Sequence, residues 1–278
     1  MWNEHYQSAI INWIFFPYMI YLLLMTFICS SAIRDYLVEV ENKNQAIFDK
    51  KEYTIDGSIQ FQAQFSTTAT FCFFVLFASL EGSSFISDGP SAYFSQTWNC
   101  IDFISLSLNL TFLAISALSQ IKEAWIIDKS QLLSIGAYAT FFMWCKMFYW
   151  MRLFESTAYY VTLIVQTISD CMTFMLMILI ILLAFGNFFM VINQNMEGRE
   201  DGVVYVSEYL GIRPVDALIS AYFMGLGEFA YDGYSSGPNK FSAWSMFLLA
   251  TFLTCVVFMN MLIAIMGETF GAVTEKAE

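Results

Sequence analysis

Apolar residues collect along the chain into runs that fit membrane helices, each of which needs about 20 mostly apolar residues to cross a bilayer. Six runs approach or exceed that length: Ala9 to Ile33, Phe65 to Leu80, Trp98 to Leu118, Leu132 to Phe154, Cys171 to Ile192 and Phe241 to Met266. A seventh, Pro214 to Met224, holds only 11 residues and cannot span. Polar stretches separate them. Arg34 to Gln64, with Glu39, Glu41, Lys43, Asp49, Lys50, Lys51, Glu52 and Asp56, reads as a solvated loop or small cap. The Gly, Ser and Pro residues within Glu81 to Gln96 read as a connection. Glu155 to Ser169 keeps a helical pattern but is amphipathic, as a helix lying along the membrane surface would be.

The short run is the most informative. Pro214 suits the first turn of a helix, and that helix runs directly into Gly225-Leu226-Gly227-Glu228. A half-spanning helix is tolerated in a membrane only where its backbone ends are packed in protein or face water, so an aqueous cavity follows. Gly225 and Gly227 would let the backbone turn carbonyls toward an axis. The helix would point its negative end at a cation. Several copies of Glu228 around that axis would form an acidic ring that concentrates cations. The same four residues could also be an ordinary turn; their place after a half-helix and before a full span selects the pore reading. Asp216 and Asp232 either add negative potential at the outer mouth or are solvated loop charges. Potassium selectivity is not expected, because no Thr-Val-Gly-Tyr-Gly segment is present.

The predicted fold is an all-α membrane protein with six transmembrane helices, a four-helix sensor-like bundle and a two-helix pore domain containing a re-entrant pore helix and filter. Residues 1–154 form the four-helix domain, with helices at 9–33, 65–80, 98–118 and 132–154, and residues 155–169 form the linker helix on the membrane surface. Residues 170–278 form the pore domain, with helix 171–192, pore helix 214–224, filter 225–228 and helix 241–266.

Composition agrees with a bilayer setting. Of 278 residues 58% are hydrophobic and 13% charged, too few polar groups to surface a soluble domain of this size. The formal charge of −12 excludes nucleic acid as a partner, since a phosphate polymer requires a basic surface. The six cysteines lie in or at the ends of apolar runs without Cys-x-x-Cys spacing, as packing thiols do. With the lone His5, and with no paired intramembrane acids or Ser-His set, the chain has no catalytic constellation, so neither enzymatic activity nor a cofactor is expected. Six spans place both termini on one side. With that side cytosolic, Lys146, Arg152 and Lys276 lie inside and the other nine basic residues outside, against the usual positive-inside bias.

The segment Phe258-Met259-Asn260-Met261-Leu262-Ile263-Ala264-Ile265-Met266-Gly267-Glu268-Thr269-Phe270 resembles the last pore helix of transient receptor potential cation channels. The filter Gly225 to Glu228 resembles the Gly-Met-Gly-Asp of the vanilloid subfamily, and Phe148-Tyr149-Trp150-Met151-Arg152-Leu153-Phe154 resembles its fourth helix. The resemblance covers Leu132 to Thr269 and reaches the first three helices by layout only. It implies a homotetramer, in which three further subunits and membrane lipids are the partners. It also implies a lower gate formed by the sixth helices, with Ile263 at the hydrophobic gate position and Asn260 at the polar position near mid-helix. Cys255, Met259 and Ile263 recur every four residues and would share one face; with Asn260 and Met266 they are the pore-lining candidates, unless they pack against the fifth helix instead. No ankyrin-like repeats precede the first helix and the family's Trp-containing helix does not follow the last, the layout expected of a fragment or a minimal relative. Val165 stands where vanilloid receptors place an acidic ligand-contacting residue, so vanilloid sensitivity is not implied.

Only Lys146 and Arg152 are basic in the fourth helix, too few for steep voltage gating. Glu81, Asn99 and Asp102 could be hard ligands for Ca²⁺. They resemble the cytosolic-side calcium site of melastatin-type relatives, with Ser84 standing where those place Gln. The alternative is that Glu81 and Asp102 neutralise Lys146 or Arg152, which could also couple sensor to pore. The functional expectation is a pore-forming subunit of a weakly voltage-dependent, non-selective channel for Na⁺, K⁺ and Ca²⁺. Ca²⁺ would act as permeant ion and candidate regulator, in a plasma or ciliary membrane. The alternatives are a polycystin-like channel subunit, a non-conducting regulatory subunit and, with least support, a transporter.

Overall fold

The computed structural model describes residues 10–50, 52–122, 127–194, 205–229, 234–235 and 238–277. Asp232 lies outside them. The chain divides into two compact units, Met1–Val161 and Thr162–Glu278.

In the first unit, α1 (Ile11–Phe48) is a 38-residue helix, widened to π geometry over Ile11–Phe15 and Leu24–Cys29. It does not stop at Ile33. Ile33, Tyr36, Leu37 and Val40 recur at helical spacing and are buried, with Tyr36 and Val40 packing against Ala63, Ile55 and Ile59. The polar stretch expected to be a loop is therefore mostly helix, and its turn comes at Lys50, with φ 56°. Helix α2 (Gly57–Asp88) is twice the length of the predicted 65–80. Its ends are set by capping: the Asp56 carboxylate accepts from the Ser58 N–H at 2.8 Å, and Gly89, with φ 77°, turns the chain into Pro90. Hydropathy registers only the middle of such a helix.

Helix α3 (Pro90–Phe94) is a single turn, and α4 (Thr97–Lys122) follows. Helix α5 (Lys129–Trp150) starts at Asp128, which accepts from the Ser130 N–H and hydroxyl. It gives way to a 3₁₀ turn over Met151–Leu153, so the helix ends short of the expected Phe154. Tyr21, Leu22, Met25, Phe112, Leu113 and Leu132 fill the core of this unit. Gly136 admits the Phe112 ring at the α4–α5 crossing, where a Cβ would stand 2.7 Å from Phe112 Cε2.

Helix α6 (Glu155–Gln194) runs unbroken for 40 residues. The expected division between a surface linker ending at 169 and a span beginning at 171 is absent, because no Gly or Pro interrupts Gln166 to Cys171. The second unit then contains α7 (Arg213–Gly225) and α8, which runs as Lys240–Thr251, a π stretch Phe252–Phe258, and Met259–Ala277. Leu182, Phe185, Phe189, Tyr234, Ala243 and Phe247 form its core. Gly186 lets α6 approach α7 closely, since a Cβ there would lie 3.0 Å from the Ala217 carbonyl oxygen. Among the described residues five helices, α1, α2, α4, α6 and α8, are long and apolar enough to cross a membrane. Helix α5 has 22 residues, but Gln131, Lys146 and its Tyr and Trp residues lower its apolarity.

Candidate functional site

The second unit presents the Gly225-Leu226-Gly227-Glu228 sequence as the C-terminal cap of α7. Glu228 N–H donates to the Phe223 carbonyl at 3.0 Å and Gly227 N–H to the Met224 carbonyl at 3.1 Å, the paired bonds of a Schellman motif. That motif requires a left-handed residue after the cap, and Gly227 supplies it with φ 93°. Gly225 plays no such part: it is the last helical residue, outside the left-handed region. The carbonyls of Phe223 and Met224 accept hydrogen bonds inside the cap. Leu226 and the Glu228 side chain are exposed beyond it.

The start of α7 is equally specified. Pro214 occupies the first turn, and Asp216 is 4% exposed. Its Oδ1 accepts from the backbone N–H groups of Leu210 at 2.7 Å and Tyr209 at 3.2 Å. Asp216 is therefore not a solvated loop charge. It clips the preceding chain to the positive end of the helix, where a carboxylate is electrostatically favoured.

Helix α8 divides the candidate pore residues. The Cys255 thiol lies 3.5 Å from the Gly225 carbonyl and 3.8 Å from that of Met224, held against the end of α7. Cys255 lies within the π stretch Phe252–Phe258, and Met259 and Ile263 lie in the α-helical part that follows it. At the end of that stretch Phe258 makes an edge contact with Phe174 at 6.0 Å, and further along Thr269 donates to Asp170 Oδ2 at 2.9 Å. These contacts mark the face turned to α6. Asn260, Ile263 and Met266 are exposed on the rest of the circumference, Ile263 by 65%, and Asn260 Nδ2 donates to the Val256 carbonyl one turn back.

In the first unit, Lys146 brings the two acidic candidates together. Its Nζ lies 2.6 Å from Asp102 Oδ1 and 3.8 Å from Glu81 Oε2, and the aromatic faces of Tyr18 and Trp150 lie 5.7 and 6.0 Å from it. The other Glu81 oxygen accepts from Tyr93 OH at 2.8 Å. Asn99 donates to the Tyr93 carbonyl at 3.2 Å, and Ser84 donates back to Leu80 of its own helix. Burial and the Glu81 carboxylate together push the Tyr93 hydroxyl well above the usual phenol range. Among the described residues, no group of three or more His, Cys, Asp or Glu side chains is placed to hold a metal ion. Arg152 rests over the Tyr149 ring, 5.8 Å from its centroid.

Tyr93, Asp170 and Thr269 are the participants that sequence reasoning missed. Tyr93 sat in a stretch read only as a connection. The Asp170–Thr269 bond joins positions 99 residues apart, beyond the reach of any local pattern.

These features define a helical membrane protein in which a capped half-helix stands between two long apolar helices. The chain belongs to the ion transport protein family, whose profile matches residues 13–278, and it is an ion channel subunit.

Proposed function

We propose that the chain is the pore-forming subunit of a tetrameric, weakly voltage-dependent, non-selective cation channel that passes Na⁺, K⁺ and Ca²⁺. Its transmembrane region resembles that of the vanilloid-type transient receptor potential channels. In this reading α5 is the fourth of six spans, α8 the sixth, and α7 the re-entrant pore helix. The observation that carries it is the cap of α7, which leaves the Glu228 carboxylate exposed at the end of a half-helix between α6 and α8. Four such carboxylates around an axis would attract cations and bind divalents. Ile263, on the part of α8 turned away from its contacts with α6, would close the pore by dewetting in a ring of four.

The cluster around Lys146 favours charge pairing over a calcium site, because an ammonium already lies close to both carboxylates. Ca²⁺ is then a permeant ion and not a ligand of Glu81 and Asp102.

The test is single-channel recording of the purified chain in a planar bilayer. Glu228→Gln lowers the unitary conductance and the Ca²⁺ over Na⁺ preference; a variant unchanged in both would remove that side chain from the filter. Ile263→Ser raises the open probability at unchanged conductance.

A further inference from the structure

Helix α4 turns a polar stripe into the core of the first unit. Asp102, Ser105, Asn109, Ser116, Ser119 and Gln120 are all buried. From Asp102 to Gln120 the helix rises about 27 Å at 1.5 Å per residue, close to the ~30 Å hydrocarbon thickness of a bilayer. Asn109 is completely buried; its amide donates to the Ser105 carbonyl at 2.8 Å, while its Oδ1 has no protein partner. Ser116 Oγ on the same stripe and, from α1, Tyr21 OH and Thr26 Oγ1 are also buried without a protein partner. Toward the far end Gln120 Nε2 donates to Thr67 Oγ1 at 2.9 Å. The near end is closed by the Lys146–Asp102 ion pair.

Several orphaned oxygens in one unit are a poor way to build a hydrophobic bundle, because leucine or alanine would fill the same places without the loss of hydration. Buried polar atoms of this kind are as a rule satisfied by ordered water. We propose that the first unit carries a proton path of its own, running along the α4 stripe between the Lys146 pair and Gln120 and separate from the pore of the second unit. Hydroxyl and amide groups each donate and accept, so with bridging waters they pass a proton by reorienting. A metal cation would instead need six or more oxygens to replace its hydration shell, which a single row of neutral side chains does not supply. The path is therefore proton-selective. Phe112 and Leu113, both buried, interrupt the stripe between Asn109 and Ser116 and limit the flux.

The experiment uses the full chain in liposomes with a trapped pH dye, an imposed pH gradient and a potassium ionophore to hold the voltage. A matched set of liposomes carries a sodium dye. Phe112→Ala raises proton entry several-fold with sodium flux unchanged. Adding Asn109→Leu to that variant returns proton entry to the level of empty liposomes. In the otherwise native chain, Asn109→Leu and Gln120→Leu each lower it, which decides the question even if Phe112→Ala does not fold. Glu228→Gln alters sodium flux and leaves proton entry as it was. Proton entry that ignores both Asn109→Leu and Gln120→Leu, or that falls together with sodium flux in Glu228→Gln, overturns the proposal. Sodium flux insensitive to Glu228→Gln while proton entry still depends on Asn109 overturns the pore assignment alone.

Discussion

Thr269 donates its hydroxyl to a carboxylate oxygen of Asp170 at 2.9 Å, tying the last third of α8 to α6. Gln166 holds the other oxygen of the same carboxylate at 2.9 Å. A bond to a charged acceptor contributes about 1.5–3 kcal/mol when well buried. Asp170 is exposed, so Thr269→Val is expected to cost about 1 kcal/mol, at or below the low end of that range. The measurement is thermal unfolding in detergent, paired with single-channel recording. Open probability shifts while unitary conductance does not, since the bond holds a helix and not the Glu228 end of α7. A change in conductance instead would place Thr269 in the permeation path.

Two glycines two positions apart are expected to behave oppositely. Gly227 is left-handed at φ 93°, where an L side chain costs about 1–2 kcal/mol. Gly227→Ala therefore lowers stability by that amount and reduces conductance as the cap of α7 distorts. Gly225 is helical, and a Cβ there would meet Leu182 Cδ2 at an ordinary 3.5 Å. Gly225→Ala is neutral or stabilising by up to about 1 kcal/mol. Equal effects of the two changes on melting temperature and conductance would remove the cap from the account of the filter.

Lys146→Met leaves two carboxylates, Glu81 and Asp102, facing each other without the ammonium between them. Removing one partner of a buried pair costs about 3–5 kcal/mol. Adding Asp102→Asn to Lys146→Met recovers much of that loss, a coupling that unfolding of the four variants of a double-mutant cycle reads directly. Additive losses would mean that the pair does not interact.

Asp56 gives a pH signature. Its carboxylate accepts the Ser58 N–H and hydroxyl at the start of α2, bonds that hold its pKa below the ordinary carboxylate value. The sign follows from that lowering: the capping contribution is complete above the unfolded value near about 3.9 and disappears as pH falls through the lower folded value. Below about pH 4 the native chain should thus lose stability relative to Asp56→Asn, which caps without titrating. Melting temperatures of the two proteins from pH 7 to pH 3 check this; parallel curves would rule the cap out.

What was legible in the sequence is what hydropathy and short motifs encode. The long apolar runs became α1, α2, α4, α6 and α8, and the Pro214 start and Gly-rich end of α7 were visible as letters. Helix ends were not, because they are fixed by single hydrogen bonds such as Asp56 to Ser58 and by one glycine torsion at Gly89. Nor was the helix through Tyr36 and Val40, whose apolar stripe is diluted by the charged face around it. The Glu81–Lys146–Asp102 grouping was anticipated as one of two alternatives; the choice depended on how far the Lys146 side chain reaches, which no spacing encodes. The π stretch of α8 was not legible either, because nothing in the local sequence announces a change of helical pitch.

The cap of α7 also bears on how ion preference could change. Its hydrogen bonds use the backbone of residues 223 to 228 and the torsion of Gly227, and none uses the side chain at 228. That side chain is an interchangeable fitting on a fixed mount. Aspartate, glutamine or lysine could be exchanged there without rebuilding the turn, so in the proposed pore charge selectivity would be retuned by one substitution while the scaffold that presents it stays the same.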